Sequence, residues 1–288
     1  MRIAVTGADG LLGAELCRQL GDAAIPLRRP ACELTDSERL TRMLQRLRPD
    51  VVINAAAYTN VNLAEREPQA CRASNVQGVI NLAEACGPLG CTLVQISSDY
   101  VFDGQPGRRP FRETDMPAPR GVYAQSKFDA EQIATEYRQN LIIRTCGLYG
   151  QPADKTQRPR FVGQILERAQ SGEPLRVVGD QRCTPSYVPH VARAILFLVR
   201  AQRRGKYHVV NSGSATWYEF AEAILRQAGS DSFIERITTA QLGAVAPRPR
   251  FSVLDCAKYA ALRGPALPHW REGLAEHLSA IDASAVHA

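Results

Sequence analysis

The sequence lacks several features that would assign it to a specialised class of protein. Its eight cysteines form no Cys-x-x-Cys pair and it has only five histidines, so their spacing fits neither a zinc site nor a redox motif. We therefore predict no metal site, and cysteines that are mostly reduced. No apolar run approaches the roughly 20 residues that cross a bilayer, and the N-terminus has no signal-peptide layout. These absences predict a cytoplasmic protein with no membrane partner.

The charge pattern argues against a nucleic-acid partner. The formal net charge is +6, but the arginines are spread along the chain, and the densest basic patch, Lys155 with Arg158 and Arg160, is short. A generally basic surface is the simpler interpretation, and it would suit an anionic small substrate. Hydrophobic content of 45% and charged content of 22% are typical of a globular protein, with one large domain or two unequal ones.

A glycine-rich turn stands near the start of the chain. Residues 2–5 predict a buried strand, and the stretch Gly7 to Gly13 fits G-x-x-G-x-x-G before an amphipathic helix over 11–20. Glycines let the backbone approach a pyrophosphate, and the helix N-terminus stabilises its charge. The alternative is an ordinary turn between a strand and a helix. The residues that we assign to cofactor binding here are Gly7, Gly10, Leu11, Leu12 and Gly13.

The end of the second predicted strand, 24–27, bears on the choice of cofactor. Sites for NAD often place an acidic residue here, whereas Arg28 and Arg29 would either bind the 2′-phosphate of NADP or be solvated. Glu33, about 20 residues past the glycines, keeps NAD open. We therefore assign Arg28, Glu33 and Leu34 to the cofactor, which we predict to be NADPH or NADH.

Strands and helices alternate along the first 150 residues. Apolar strands are predicted at 51–53, 92–96 and 141–144. The pattern predicts an α/β fold, a Rossmann-type doubly wound parallel sheet that binds ligands at the carboxyl ends of its strands. Small residues there would make room for a ligand or simply pack tightly. The strand-end residues that we assign to the cofactor are Asn54, Ala55, Ala56, Ala57, Tyr58 and Ser97.

The regular alternation weakens after residue 150. We predict that residues 1–150, together with about 187–212, form the nucleotide-binding domain. Residues 151–186 and 213–280 would then form a smaller, mixed C-terminal lobe that covers the cleft.

One stretch, Tyr123-Ala124-Gln125-Ser126-Lys127, carries the candidate chemistry. On a helix, Tyr123 and Lys127 lie one turn apart on the same face. A free phenol has a pKa of about 10, and a nearby ammonium would lower it by about 1–3 units, which makes an acid–base group for neutral pH. Such spacing also occurs by chance on many helices. The glycine turn upstream and the serines at 97 and 98 favour catalysis.

The glycine turn, Ser98 and the Tyr123–Lys127 pair together resemble the extended short-chain dehydrogenase/reductases. Residues 97–104, Ser-Ser-Asp-Tyr-Val-Phe-Asp-Gly, are similar to the I-S-T-D-Y-V-F-x-G stretch of the dTDP-4-dehydrorhamnose reductase family. The similarities extend over about residues 1 to 275. Further matches are at 54–59, Asp180-Gln181, Thr184-Pro185, Thr216-Trp217, Arg248-Pro249 and 252–255.

This resemblance implies reduction of the C4 keto group of a dTDP-4-keto-6-deoxy sugar, in dTDP-L-rhamnose biosynthesis. It implies that Tyr123 gives the proton, that Lys127 holds the nicotinamide ribose, and that Ser98 binds the carbonyl oxygen, so that Tyr123 and Lys127 also contact the cofactor. The expected partner is a small dTDP-sugar, and a homodimer is a possible assembly. The substrate-binding residues that the resemblance implies are Ser98, Asp99, Tyr100, Tyr123, Thr184 and Arg248.

Three positions depart from the family pattern. Ser98 replaces a threonine but keeps the hydroxyl, and Asn62 stands where an aspartate is usual. Gly147 stands where family members often have a tryptophan that is associated with the sugar.

Two other functions fit the same superfamily. A sugar-nucleotide epimerase or dehydratase would retain a bound NAD, but dehydratases usually carry Asp-Glu after the Ser/Thr, and Asp99-Tyr100 stands here. A non-catalytic regulatory subunit that binds NADP is the second alternative. An intact Ser98, Tyr123 and Lys127 favour catalysis over it.

Overall fold

The computed structural model describes residues 1–104, 109–151 and 160–286, so Lys155 and Arg158 of the predicted basic patch lie outside the described residues. The strands are β1 Ile3–Thr6, β2 Ala24–Leu27, β3 Val51–Asn54, β4 Thr92–Ser98, β5 Asn140–Thr145, β6 Leu148–Tyr149, β7 Leu175–Val178, β8 Arg182–Cys183, β9 Ser186–Tyr187, β10 Gly205–His208, β11 Ala215–Thr216 and β12 Ile234–Ile237. The helices are α1 Leu11–Leu20, α2 Ser37–Leu47, α3 Val61–Arg66, α4 Pro68–Arg72, α5 Gly78–Cys86, α6 Gly121–Glu136, α7 Phe161–Ser171, α8 Val188–Arg200, α9 Trp217–Gln227, α10 Thr239–Leu242, α11 Ala257–Ala260 and α12 Trp270–Val286. Short 3₁₀ turns lie at Gly21–Ala23 and Asp99–Phe102, and a π-helical turn, Ala73–Gln77, joins α4 to α5.

Six parallel strands form the central sheet, in the order β2-β1-β3-β4-β5-β10. The chain moves outward from β1 to β2, returns to the other side of β1, and continues to β10. Because the strand order reverses between β1 and β3, the loops at their carboxyl ends diverge and leave a crevice for a ligand. The predicted Rossmann-type α/β fold is confirmed.

The central strands are apolar because helices cover both faces of the sheet. Successive side chains of a strand point to opposite faces. Accordingly, Ile3 and Val5 of β1 pack into the cluster with α1 and α8, whereas Ala4 packs into the cluster with α2 and α5. In β3, Val52 likewise packs into the cluster with α2 and α5, whereas Ile53 packs into the cluster with α1 and α8. Strands buried on both sides therefore read as uninterrupted apolar runs.

The chain returns to this sheet after residue 187. Helix α8 packs against α1 with its apolar face, and β10 pairs with β5 at the sheet edge. These elements extend the central sheet and its helical layer beyond the first 150 residues.

The remaining C-terminal elements form a smaller layer with mixed pairing and a core of its own. Strand β7 pairs with β12 in parallel, whereas β8 pairs with β11 in antiparallel. Phe220 of α9 and Trp270 of α12 are buried in this second core. A capping box starts α9, because the Thr216 hydroxyl accepts from Glu219 N at 3.1 Å and the Glu219 carboxylate accepts from Thr216 N at 2.9 Å. Within the described ranges, no helix combines the length and apolarity that a membrane span requires.

Candidate active site

A cleft of about 510 Å³ lies at the carboxyl ends of β1, β3, β4 and β5. Its volume is within the range of about 300–1,000 Å³ that small-molecule and cofactor sites occupy. The structure brings most of the predicted site residues to this one surface. Those on the cleft wall are Gly7, Gly10, Leu11, Leu12, Leu34, Ala55, Ala56, Ala57, Ser97, Ser98, Asp99, Tyr100, Tyr123 and Lys127.

The glycine-rich turn forms one end of the cleft. Gly7 has a φ of +63°, and a Cβ on it would lie 2.8 Å from backbone atoms of Ala56. Gly10 is the N-cap of α1. Gly13, which we also predict to face the cofactor, does not lie on the cleft wall, and a Cβ there would lie 2.1 Å from the carbonyl oxygen of Gly7. Gly13 instead allows α1 to pack directly on the turn.

The side chains after β2 differ from the prediction for the adenosine end of the cofactor. Arg28 turns back, and its Nε donates to Asp9 Oδ1 at 2.8 Å. Arg29 lies 3.7 Å from Glu33. The cleft wall contains Arg29 and Asp9, and neither Arg28 nor Glu33 is part of it. An arginine borders this end of the cleft as expected, but it is the second of the pair.

Asn54 and Tyr58 flank the small residues after β3 and do not line the cleft. Asn54 is 1% exposed, and its Oδ1 accepts from the Thr6 hydroxyl at 2.6 Å. The Tyr58 hydroxyl donates to Glu67 Oε2 at 2.7 Å. Because these polar groups are already paired within the protein, the two residues anchor the ends of the segment 55–57, whose alanines form the wall.

Ser98, Tyr123 and Lys127 meet on the cleft wall. Ser98 ends β4, and α6 presents Tyr123 and Lys127 one turn apart. Lys127 is 4% exposed, and its Nζ donates to the backbone carbonyl of Ile96 at 2.6 Å. The carboxyl end of one strand and one face of one helix thus assemble the three predicted catalytic groups.

The titration properties of these groups follow from their burial. Burial raises the pKa of Tyr123 well above its usual value, while a hydrogen bond with Ser98 lowers it and the charge of Asp99 raises it further. Burial lowers the pKa of Lys127 to about 8, and the negative charge of Glu131 opposes this. The sequence predicts that Lys127 sets the pKa of Tyr123. In the structure burial has the largest effect on that pKa, and the Lys127 ammonium donates to the Ile96 carbonyl.

Asp99 and Tyr100 follow Ser98 in a 3₁₀ turn. The Asp99 carboxylate is 3% exposed and accepts from the Ser98 hydroxyl at 3.0 Å, from the Cys146 thiol at 3.0 Å and from the Ser252 hydroxyl at 2.5 Å. The Tyr100 ring meets the Tyr123 ring edge to face, with centroids 5.5 Å apart. Tyr100 therefore offers its ring to the cleft, whereas the oxygens of Asp99 are engaged by the protein.

Two of the predicted substrate-binding residues, Thr184 and Arg248, lie off the cleft wall. Thr184 is 1% exposed, and its hydroxyl donates to the Gly213 carbonyl at 3.0 Å. Arg248 donates to Asn62 Oδ1 at 3.1 Å. These contacts join segments that are distant in the chain, so this geometry gives both residues a structural use and does not support substrate binding by either.

The wall also contains residues that the sequence analysis did not assign to the site. Thr145 and Cys146 stand at the carboxyl end of β5, where the strand-end rule would have found them. Gly147 follows with a φ of +54°, and a Cβ there would lie 3.2 Å from Pro185 Cα. Arg160, the N-cap of α7, reaches the wall from the C-terminal side and no motif marks it.

Comparison with known proteins decides the family. The RmlD substrate binding domain family matches residues 1–283. The chain belongs to this family. Its relatives include the spore coat polysaccharide biosynthesis protein SpsK of Bacillus subtilis (strain 168), which is 37% identical over 96% of this chain and 96% of that protein. The dTDP-4-dehydrorhamnose reductase of Streptomyces griseus is 36% identical over 96% of this chain and 93% of that protein.

A solved structure extends the likeness to three dimensions. The crystal structure of dTDP-4-dehydrorhamnose reductase from Bacillus anthracis str. Ames, in complex with NADP, matches with a TM-score of 0.91 and 32% identity. The match covers 96% of this chain and 98% of that chain. The resemblance inferred from residues 97–104 and the Tyr123–Lys127 pair is confirmed. Across the described ranges, no group of three or more His, Cys, Asp or Glu residues is placed to hold a metal ion.

Proposed function

We propose that this chain uses NADPH to reduce the C4 keto group of a dTDP-4-keto-6-deoxy sugar, in the biosynthesis of dTDP-L-rhamnose. The observation that carries the proposal is the meeting of Ser98, Tyr123 and Lys127 on a cleft that the glycine turn also lines. Relatives named dTDP-4-dehydrorhamnose reductase match nearly the whole chain, which supports the same reaction class.

The residues of the cleft fit a nicotinamide dinucleotide. Gly7 and Gly10 bring the start of α1 to the wall, where backbone N–H groups and the helix dipole stabilise a pyrophosphate. Arg29 borders the adenosine end and suits a 2′-phosphate. The relative from Bacillus anthracis was solved with NADP, which supports NADPH. Glu33, 3.7 Å from Arg29, is the group that would instead favour NADH.

Reduction of a ketone needs a hydride at carbon, which the nicotinamide supplies, and a proton at oxygen. Tyr123 gives the proton, and because burial raises its pKa, the phenol is protonated at neutral pH and able to act as an acid. Lys127, one turn away, stabilises the phenolate that remains. Ser98 donates a hydrogen bond to the carbonyl oxygen and so stabilises its developing negative charge.

The test is turnover of a dTDP-4-keto-6-deoxy sugar with NADPH or NADH, with identification of the product. In Tyr123→Phe we expect kcat to fall by about 10²–10⁴-fold, because the acid is lost, while NADPH still binds. Tyr137→Phe is the matched control, since Tyr137 follows the same helix and its hydroxyl donates to Cys91 O at 2.6 Å, away from the cleft. Undiminished turnover in Tyr123→Phe would contradict the assigned role.

The same assay separates reduction from the alternatives. An epimerase or dehydratase would be purified with NAD and convert the sugar without net consumption of NADPH. A regulatory subunit would bind NADPH but leave the sugar unchanged. A cytoplasmic location, a homodimer and the absence of a nucleic-acid partner remain predictions, which cell fractionation, light scattering and a nucleic-acid binding assay can check.

A further inference from the structure

Asp99 is a buried carboxylate whose hydrogen-bond donors are all neutral. Oδ2 accepts from Cys146, just after β5, and from Ser252 in the C-terminal lobe, whereas Oδ1 accepts from Ser98. No Lys, Arg or His pairs with it anywhere in the described parts of the chain. A carboxylate with 3% exposure and no counter-charge is poorly stabilised when ionised.

The Ser98 hydroxyl has a single proton, and its hydrogen-bonding neighbours in the protein include both Asp99 and Tyr123. In the structure that proton is donated to Asp99 Oδ1 at 3.0 Å, and Ser98 Oγ accepts from Tyr100 N at 3.2 Å. An ionised carboxylate can only accept, so it keeps the proton of Ser98 directed at itself. While that bond lasts, Ser98 cannot donate to a carbonyl oxygen in the cleft.

We propose that Asp99 is a positioning residue whose protonation turns the Ser98 hydroxyl from Asp99 toward the substrate carbonyl. This inference rests on the proposed function, because it concerns the hydrogen bond that Ser98 makes during reduction. The proton resides on Oδ1, since Oδ2 already accepts from two donors. Asp99 Oδ1–H then donates to Ser98 Oγ, and Ser98 Oγ–H donates into the cleft. No proton leaves Asp99 in the reaction.

The surroundings of Asp99 favour protonation above the ordinary range of an aspartate. Burial raises the pKa of Asp99, and the hydrogen bonds from Cys146, Ser252 and Ser98 lower it in part. The titratable groups that face it from neighbouring elements are Tyr100, Tyr123, Asp103 and Cys146, and each of them is neutral or negative. Among the cations, Arg248 acts on Tyr100 and Asp103 and Arg120 acts on Asp103, and neither is among the influences on Asp99.

The first test compares the pH dependence of turnover in the wild type and in Asp99→Asn. Asparagine mimics the protonated state, because its NH₂ group can donate to Ser98 while its oxygen accepts from Ser252 and Cys146. We expect the wild-type rate to fall about tenfold per pH unit above the pKa of Asp99, and Asp99→Asn to lack this decline until Lys127 titrates at a pKa of about 8. Asp129→Asn, on the outer face of α6, should keep the wild-type profile.

A second variant covers the case in which Asp99→Asn does not fold. Ser252→Ala removes a donor to the ionised carboxylate without touching the cleft wall. We expect the pKa of Asp99 to rise, so the decline in turnover moves to higher pH. A purely structural role for Asp99 would instead lower the rate by the same factor at every pH in both variants, and that result would overturn the proposal.

Infrared difference spectroscopy gives a readout that needs no substrate. The wild type should show a carboxyl C=O band that is absent from Asp99→Asn, that is lost on raising the pH above the ordinary aspartate range, and that persists to higher pH in Ser252→Ala. If Asp99 is ionised down to an ordinary aspartate pKa, the inference fails even though the enzyme reduces its sugar. If the band titrates as expected and no 4-keto sugar is reduced, the proposed function fails alone.

Discussion

Two buried carboxylates flank the candidate catalytic residues, and the protein stabilises them in opposite ways. Glu131, one turn past Lys127 on α6, is fully buried, and its two oxygens accept from Arg144 at 2.8 and 2.7 Å. Asp99 is almost as buried but meets only a thiol and two hydroxyls. Glu131 therefore has a cation as its partner, whereas Asp99 has only neutral donors. The protonation state of a buried carboxylate therefore depends on the charge of its hydrogen-bond donors as well as on its burial.

The other contacts of Arg144 show how firmly its ion pair with Glu131 is held in place. The guanidinium also lies over the Phe102 ring, 4.9 Å from its centroid, and 3.4 Å from His208 Nε2. Burial, together with the charge of Arg144, lowers the pKa of His208 to about 3. This histidine therefore stays neutral and adds no second positive charge beside Arg144. The Glu131 carboxylate of this pair also acts on Lys127, whose pKa it raises against the lowering effect of burial.

The largest effect is expected when the ion pair is broken. Glu131→Gln leaves Arg144 buried without a counter-charge, and we expect the free energy of unfolding to fall by about 3–5 kcal/mol. Asp99→Asn keeps its hydrogen bonds and leaves no stranded charge, so it should lose far less. Urea denaturation of both variants checks this, and equal losses would remove the distinction between the two sites.

The two serines that donate to these carboxylates allow a closer comparison. Ser97 donates to Glu131 Oε1 and Ser252 to Asp99 Oδ2, each at 2.5 Å. Ser97→Ala should lower the free energy of unfolding by about 1.5–3 kcal/mol, because its acceptor is the carboxylate of a buried ion pair. The loss in Ser252→Ala should be smaller at low pH and grow as Asp99 ionises. Denaturation series at several pH values would show whether the two losses diverge.

Asp103 is a third carboxylate, and it extends the comparison to a group with an unpaired oxygen. Its Oδ2 is buried without a hydrogen-bond partner among the described residues, and burial raises its pKa to about 6. A raised folded pKa means that stability is lost as the pH rises from about 4 through 6. Asp103→Asn should therefore raise the free energy of unfolding by about 1–2 kcal/mol at pH 7, since partial hydration screens some of the shift. At pH 4 the gain should vanish, and a pH-independent change would contradict this.

The smallest effect is expected at an ion pair in water. Glu38 accepts from Arg42 at 2.6 Å, but both side chains are more than half exposed. Glu38→Gln should change the free energy of unfolding by no more than about 0.5 kcal/mol, because solvent already screens the charges. A thermal melt at low and high salt checks this. A loss close to that of Glu131→Gln would show that burial does not set the strength of these pairs.

The sheet and its ligand edge could be predicted because they follow from local patterns. An apolar run such as 51–53 is compatible with little besides a strand covered on both faces, and a glycine turn between a strand and a helix indicates where a pyrophosphate would bind. From the sequence alone, those rules place Ser98 and the residues after β3 at the carboxyl-end edge of the sheet. Helical spacing places Tyr123 and Lys127 on one face of α6, and the glycine turn and serines upstream mark that face as the candidate site.

The partners of individual side chains could not be predicted, since distant parts of the chain determine them. The donor that completes the surroundings of Asp99 is Ser252, 153 residues away. The Thr184 hydroxyl donates to the backbone carbonyl of Gly213, and Arg28 donates to Asp9. The sequence identifies which polar groups stand near the cleft, but competition among folded segments decides which of them remain available to a ligand.

Gly147 limits which residues the loop after β5 can accept. Its backbone lies in the left-handed region, and the C-terminal lobe passes within van der Waals distance of any Cβ placed there. A single mutation to a large aromatic residue would strain the chain and push on Pro185 at once. An aromatic ring at this position would therefore need linked changes, one in the loop after β5 and one in the facing segment at 184–185.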